Sequence, residues 1–74
     1  MKLTKDTKLR DVLAAYPWIV DEAVKLDRGF AVLRSPIGKL LIAKANITEA
    51  SRRIGIGTET LIAKIEEMIR THGA

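Results

Sequence analysis

Residues 58–70 read TETLIAKIEEMIR and carry the clearest hydrophobic pattern in the chain. Large apolar residues recur there at intervals of three and four, which places them on one face of an α-helix. These residues are Leu61, Ile62, Ile65, Met68 and Ile69. The stretch therefore predicts an amphipathic helix that packs on a core, capped by Thr58 and carrying an outer Glu66–Arg70 ion pair.

A further helix is predicted just before this one. It runs from a cap at Thr48 to Ile54, and its spacing turns Ala50 and Ile54 inward. The segment Gly55-Ile56-Gly57 ends it, because glycine is unfavourable inside a helix and favours a turn.

The middle of the chain carries a weaker helical signal. Residues 30–37 predict a connection with apolar anchors. Ile37, Leu40 and Leu41 then predict a short helix, which Gly38 weakens because glycine has a low helix propensity.

Residues 8–28 predict two helices that meet at Pro17, with apolar residues at helical spacing on both sides. Proline lacks a backbone N–H and pushes the preceding residue out of the α region. Pro17 therefore ends the first helix and is suited to open the second. Thr7 is the predicted cap of the first helix, and Gly29 is the predicted left-handed cap after the second.

The architecture that these patterns predict is all-α, a compact bundle of four to five short helices. We expect residues 1–74 to form a single helical domain, since no repeat or linker is visible in the sequence. We expect a surface ion pair between Asp21 and Lys25. Leu3 and Ile47 could at most contribute a short extended pair.

Composition narrows the class of protein. The 74 residues are 47% hydrophobic and 30% charged, which is an ordinary globular balance. The chain has no cysteine, which excludes disulfides, thiolate metal sites, iron–sulfur ligation and a cysteine nucleophile. We expect the protein to bind no metal and no cofactor. No uninterrupted apolar run, including that of residues 40–43, exceeds five residues, which is too short to span a membrane. The first residues lack the apolar core of a signal peptide, so we expect a cytoplasmic protein that does not bind membranes.

The positive charge is concentrated in residues 31–53. This stretch has a net charge of +4, equal to that of the whole chain, since its five cations are opposed by Glu49 alone. Such a cluster is typical of an anion or nucleic-acid contact, although a solvated surface of a short chain can look the same. The candidate anion contacts are Arg34, Lys39, Lys44, Arg52 and Arg53.

A family resemblance rests on short motifs in a fixed order. They are Leu3-Thr4-Lys5-Asp6-Thr7, Asp11-Val12-Leu13, Tyr16-Pro17, Gly29-Phe30, Ser35-Pro36, Thr48, Ala50, Gly55-Ile56 and Leu61. In this order they resemble the small bacterial domain of unknown function numbered eighteen fifty-eight. That family is similar to the N-terminal domain of di-iron proteins that repair iron–sulfur centres. The resemblance implies a small helical bundle without a settled activity.

The chain departs from this family at one place. Many members carry a cysteine pair three residues apart after the glycine that matches Gly29, whereas this chain has Val32 and Ser35 there. The sequence therefore resembles a cysteine-free branch, and a redox or metal role of its relatives does not carry over.

The residues offer little for catalysis. His72 is the only histidine and lies near the end of the chain, and neither Ser35 nor Ser51 has a histidine close in sequence to act as a base. Adjacent carboxylates such as those of Glu66 and Glu67 point apart on a helix, which does not suit shared acid–base work. We therefore expect no enzymatic activity.

One alternative is a helix–turn–helix across residues 48–65, with its turn at Gly55. The second helix of that motif enters the major groove and needs hydrogen-bond donors near its start. Here that start offers one acid and one base, among Thr58, Glu59, Thr60, Ala63 and Lys64. Arg52 and Arg53 fall on the first helix, where they suit backbone contacts, so nucleic-acid binding would be weak and non-specific.

The preferred reading is an accessory or protein-interaction module. Trp18, the only tryptophan, lies beside the apolar stripe of its helix and is the candidate partner contact, because tryptophan is enriched in interface hot spots. Alternatively, Trp18 is a partly buried residue at the edge of the core. The expected partner is a protein, either a second copy of the chain or another protein, and the small size makes a homodimer plausible.

Overall fold

The fold of residues 2–72, taken from a computed structural model, confirms the all-α class. It is a compact bundle with a Cα radius of gyration of 10.9 Å. The described part of the chain has six helices rather than four to five, because a 3-10 helix replaces most of the predicted connection at residues 30–37. In chain order they are α1 (Leu9–Ala15), α2 (Ile19–Leu26), the 3-10 helix (Arg28–Arg34), α3 (Pro36–Lys44), α4 (Ile47–Ile54) and α5 (Thr58–His72).

Asp27 explains why the 3-10 helix starts where it does. Its side chain accepts a hydrogen bond of 2.8 Å from the backbone N–H of Gly29, which satisfies a donor in the first turn. Gly29 therefore lies within the 3-10 helix, and its predicted role as a left-handed cap is wrong. Among the described glycines the left-handed one is Gly55, with φ of 91°, where α4 ends.

The helix caps also differ from the predicted threonines. Asn46 caps α4 by accepting from the N–H of Glu49 at 2.9 Å. The Thr48 hydroxyl instead donates to the carbonyl oxygen of Lys5 at 2.9 Å, across 43 positions of the chain. A hydroxyl that joins remote segments looks the same in sequence as one that caps a helix.

The other two predicted caps are wrong for similar reasons. Thr7 lies before Lys8, the residue that precedes α1, and its hydroxyl accepts from the N–H of Thr4 at 2.9 Å. Thr58 is already the first residue of α5, and its hydroxyl lies 2.9 Å from that of Ser51 in α4. This hydroxyl pair joins the two helices across their turn.

Pro17 separates α1 from α2 as predicted, but it does not open α2. Helix α1 ends at Ala15, and Pro17 lies with Trp18 in a turn that is closed by a 3.0 Å hydrogen bond from the N–H of Ile19 to the carbonyl oxygen of Tyr16. Helix α2 begins two residues after the proline.

Two predicted ion pairs form with other partners. Lys25 approaches Glu22 at 3.8 Å, because Asp21 pairs with Arg34 of the 3-10 helix at 2.5 Å. Arg70 pairs with Glu67 rather than with Glu66, by an i, i+3 contact along α5.

The N-terminal segment is tied to the junction between α3 and α4. An isolated antiparallel bridge joins Lys8 and Asn46, in place of the expected pair of Leu3 and Ile47. The N–H of Leu9 donates to the carbonyl oxygen of Ala45 at 3.1 Å, and that of Ile47 donates to the carbonyl oxygen of Thr7 at 2.9 Å. These bonds hold the start of α4 against the start of α1.

The core lies where α5 packs on α2 and α4, and the stripe predicted for α5 is confirmed. Leu61, Ile65 and Met68 are buried, and Leu13 of α1 is half-buried and packs against the same core cluster. The other buried members of the cluster are Leu9, Val12, Ile19, Ala23, Phe30, Ile47 and Ala50.

Gly38 is the point of closest approach between α3 and the 3-10 helix. A Cβ atom at this position would lie 2.2 Å from the carbonyl oxygen of Val32 and 2.4 Å from the Cα of Leu33. Both neighbours are backbone atoms, so a side chain cannot be accommodated without moving a helix. Gly38 therefore faces the 3-10 helix and fixes which side of α3 is turned outward.

Replacing Ile65 with alanine should lower the free energy of unfolding by about 2–4 kcal/mol, because it removes buried methylenes and leaves a cavity. Leu40→Ala is the matched control, since Leu40 is 61% exposed and should change stability by less than about 1 kcal/mol. Urea denaturation followed by Trp18 fluorescence measures both. A loss below about 1 kcal/mol for Ile65→Ala would contradict the placement of this face in the core.

Replacing Gly38 with alanine should destabilise the domain by at least about 1–3 kcal/mol, because the new methyl group overlaps backbone atoms. Gly57→Ala provides the control. A Cβ there meets only the Thr60 hydroxyl, at the ordinary contact distance of 3.5 Å. Thermal unfolding by circular dichroism compares the two variants, and equal melting temperatures would show that α3 does not pack as described.

Candidate functional site

Helix α3 presents large apolar side chains to solvent. Within residues 2–72, the exposed large hydrophobic residues are Leu26, Ile37 and Leu40, with 53%, 49% and 61% of their surface accessible. Ile37 and Leu40 are three positions apart and so lie on the same side of the helix. The packing of Gly38 against the 3-10 helix keeps them from turning inward.

These two residues line an open groove between α3 and α4 of about 300 Å³. We call it the α3–α4 groove. Its lining residues are Ile37, Leu40, Leu41, Lys44, Ala45, Glu49 and Arg53.

The rim of the α3–α4 groove is positively charged. Lys44 and Arg53 line the groove itself, and Arg52 borders an adjoining depression that shares Glu49 and Arg53 with it. Three cations therefore face one carboxylate. Four ion pairs form among the described residues, and none of them involves these four groups.

The five predicted anion contacts do not form one site. Lys44 and Arg53 line the groove, and Arg52 borders the depression beside it. Arg34 lies on the 3-10 helix, where it pairs with Asp21, and Lys39 is exposed on α3 without lining the groove. Of the five clustered cations, three therefore lie at or beside the groove and two lie elsewhere.

Sequence reasoning missed the apolar half of the groove. The sequence predicts only a short helix from Ile37, Leu40 and Leu41, because an apolar stripe on a helix normally faces the core. The available signal was Gly38 beside them, since a glycine inside a helix often marks a close approach.

Trp18 lies away from this groove, in an aromatic cluster. Its half-buried ring stacks on that of His72, with centroids 3.6 Å apart and planes 9° from parallel. The ring of Tyr16 meets it edge-on at 5.8 Å. The cluster joins the turn before α2 to the end of α5, so part of the ring surface is already used within the domain. A partner contact through Trp18 stays a prediction.

Helices α4 and α5 flank the turn at Gly55. The charges on α5 do not favour reading of DNA bases. The first turn of α5 carries Glu59, and Lys64 further along is half-buried. The cations sit on α3 and α4 instead. A recognition helix needs donors at its exposed start, and α5 offers an acidic one.

Both serine hydroxyls are engaged in the fold. That of Ser35 donates to the carbonyl oxygen of Val32 at 2.5 Å and accepts from Gly38. That of Ser51 donates to the carbonyl oxygen of Thr48 at 2.7 Å. In the part of the chain that is described, no three His, Asp or Glu side chains gather closely enough to hold a metal ion.

The interior cavity does not suit a small molecule. It measures about 30 Å³ and is lined entirely by apolar core residues, whereas small-molecule pockets typically measure about 300–1,000 Å³. None of the described helices has the length and apolarity needed to cross a bilayer.

Comparison of the chain with protein-family models, with curated proteins and with solved structures found no match. The resemblance to the domain of unknown function therefore stays a prediction.

Binding to duplex DNA should be weak and only moderately salt-dependent. If Lys44, Arg52 and Arg53 all reach phosphates, the slope of log affinity against log salt is about −2.7, whereas all five predicted cations would give about −4.5. Arg53→Gln should reduce the magnitude of the slope by about 0.9, and Lys39→Gln should leave it unchanged. Titration of mixed-sequence duplexes at several salt concentrations measures this. Submicromolar, salt-resistant binding to one sequence would support a helix–turn–helix reader instead.

Proposed function

We propose that this chain is a non-catalytic helical accessory module that binds another protein through the α3–α4 groove. The observation that carries the proposal is the exposure of Ile37 and Leu40 on one side of a helix that is held against the 3-10 helix backbone at Gly38. Large aliphatic side chains that cannot reach the core remain available to a partner.

The composition of the groove supports a protein partner. Interfaces combine an apolar centre with a polar rim, and arginine is among the residues enriched in their hot spots. Here Leu40 and Ile37 supply the apolar part, while Arg53 and Lys44 lie at the rim. Phosphate contacts would use the cations but would leave the two aliphatic side chains without a role.

The remaining polar groups support the absence of catalysis. The hydroxyls of Ser35 and Ser51 are engaged in hydrogen bonds within the fold, and the His72 ring is stacked on Trp18. A nucleophile needs a general base within hydrogen-bond reach. The described residues bring no histidine to either serine.

Selection from a library of random peptides displayed on phage tests the proposal. We expect wild-type protein to enrich binders that carry large apolar residues. Leu40→Ser should lower the affinity for the selected peptides by about 30-fold, because losing a central apolar anchor costs about 2 kcal/mol of binding free energy. Leu26→Ser is the matched control, since Leu26 is similarly exposed but does not line the groove.

The variants must first be shown to fold, by thermal unfolding in circular dichroism. Peptides that lose affinity equally with Leu40→Ser and Leu26→Ser would contradict the proposal. So would binders whose amide chemical-shift changes map to the cluster around Trp18 rather than to the groove.

A further inference from the structure

We infer that the α3–α4 groove receives an amphipathic α-helix of a partner protein, with large aliphatic side chains on its apolar face and carboxylates along its flank. This inference rests on the proposed function, and it adds the conformation and the charge of the bound segment. It follows from the backbone around the groove, from the residue types that line it and from the sign of its rim.

The surroundings of the groove favour a helix over other recognised peptide conformations. Binding by strand addition needs an exposed sheet edge, and the described residues offer only the isolated bridge between Lys8 and Asn46. Proline-rich segments bind between aromatic side chains, whereas this groove is lined by Ile37, Leu40 and Leu41 and by no aromatic residue. A groove between two helices, with its apolar side on α3 and charged residues on α4, suits the remaining mode, in which an amphipathic helix inserts side chains spaced by three and four positions.

The charge of the rim favours carboxylates on that helix. Lys44, Arg52 and Arg53 have no acidic partner among residues 2–72, and Glu49 is the single carboxylate beside them. Charges across an interface are usually complementary, and the guanidinium group suits planar carboxylates. The cations flank the apolar stretch, so a helix with acids beside its aliphatic face would match both parts at once.

The same charges disfavour a second copy of this chain as the occupant. Two grooves facing each other would bring six cations against two carboxylates, since each copy contributes Lys44, Arg52, Arg53 and Glu49. Like charges that face each other across an interface oppose association. A partner segment with net negative charge removes this repulsion.

Three synthetic peptides of about 18 residues test the inference. They share one helical face of leucines at positions i, i+3, i+4 and i+7 and differ only in the flanking residues, which are Glu, Gln or Lys. We expect the Glu peptide to bind about tenfold tighter than the Gln peptide, and the Lys peptide to bind more weakly than either. Fluorescence anisotropy measures the affinities, and raising the salt concentration should reduce the Glu preference.

Charge reversal in the protein tests whether the preference for the Glu peptide arises from the cations of the groove. Lys44→Glu combined with Arg53→Glu should invert the preference, so that the Lys peptide binds tighter than the Glu peptide. Lys39→Glu combined with Arg34→Glu changes the net charge by the same amount outside the groove and should keep the Glu preference. Circular dichroism confirms that both double variants fold. If both double variants changed the peptide preference by the same amount, the inference would be overturned.

Other outcomes separate the inference from the proposed function. If the three peptides bound with equal affinity and Leu40→Ser abolished that binding, the inference of an acidic partner would be overturned. The proposed docking of apolar side chains in the groove would still hold. Selected peptides that bind in an extended form, seen in their amide chemical shifts, would overturn the helix. A dimer in sedimentation that Leu40→Ser abolishes would overturn it in favour of a second copy. Duplex DNA that binds tighter than the Glu peptide would overturn it in favour of nucleic acid.

Discussion

The backbones of α3 and the 3-10 helix meet at Gly38 without space for a side chain, and the outward face of the domain depends on this contact. Ser35 strengthens it, because its hydroxyl donates to Val32 and accepts from Gly38, and so joins the end of one helix to the start of the next. Because Gly38 is held against the 3-10 helix, the side chains of Ile37 and Leu40 point away from that helix. Ile37 and Leu40 are therefore exposed as a result of packing and not as an accident of composition.

The second wall of the groove is positioned from the opposite end of the chain. Residues 5–9 hydrogen-bond to Ala45 and to the first two residues of α4, through Thr7, Leu9 and the carbonyl oxygen of Lys5. These bonds satisfy backbone groups at the start of α4, where Asn46 supplies the side-chain cap. At the other end of α4, the Ser51 and Thr58 hydroxyls join it to α5. Polar contacts thus hold α4 to the N-terminal segment and to α5, in a domain whose apolar core alone is small.

The groove combines two properties that oppose each other in an isolated domain. Exposed aliphatic side chains favour association, while a concentration of like charge opposes self-association. A rim of three cations with one carboxylate therefore limits contact between copies of the chain and leaves the apolar centre open to a partner of the opposite charge. The proposed specificity arises from this combination, since neither the aliphatic residues nor the cations would select a partner alone.

By itself, the sequence determined the all-α class, the apolar face of α5, the interruption at Pro17 and the end of α4 before Gly55. Each of these follows from local physics: helical periodicity, the missing proline N–H and the conformational freedom of glycine. Tertiary structure alone decided which hydroxyl capped a helix and which joined distant segments, as Thr48 does with Lys5. It also decided that Lys44 and Arg53 meet at one groove while Arg34 and Lys39 do not. Above all it decided that Ile37 and Leu40 of α3 face solvent, while Leu41 packs against the core. A hydrophobic pattern specifies that a helix has an apolar face, but only the approach of a second backbone at Gly38 specifies which side of that helix is covered.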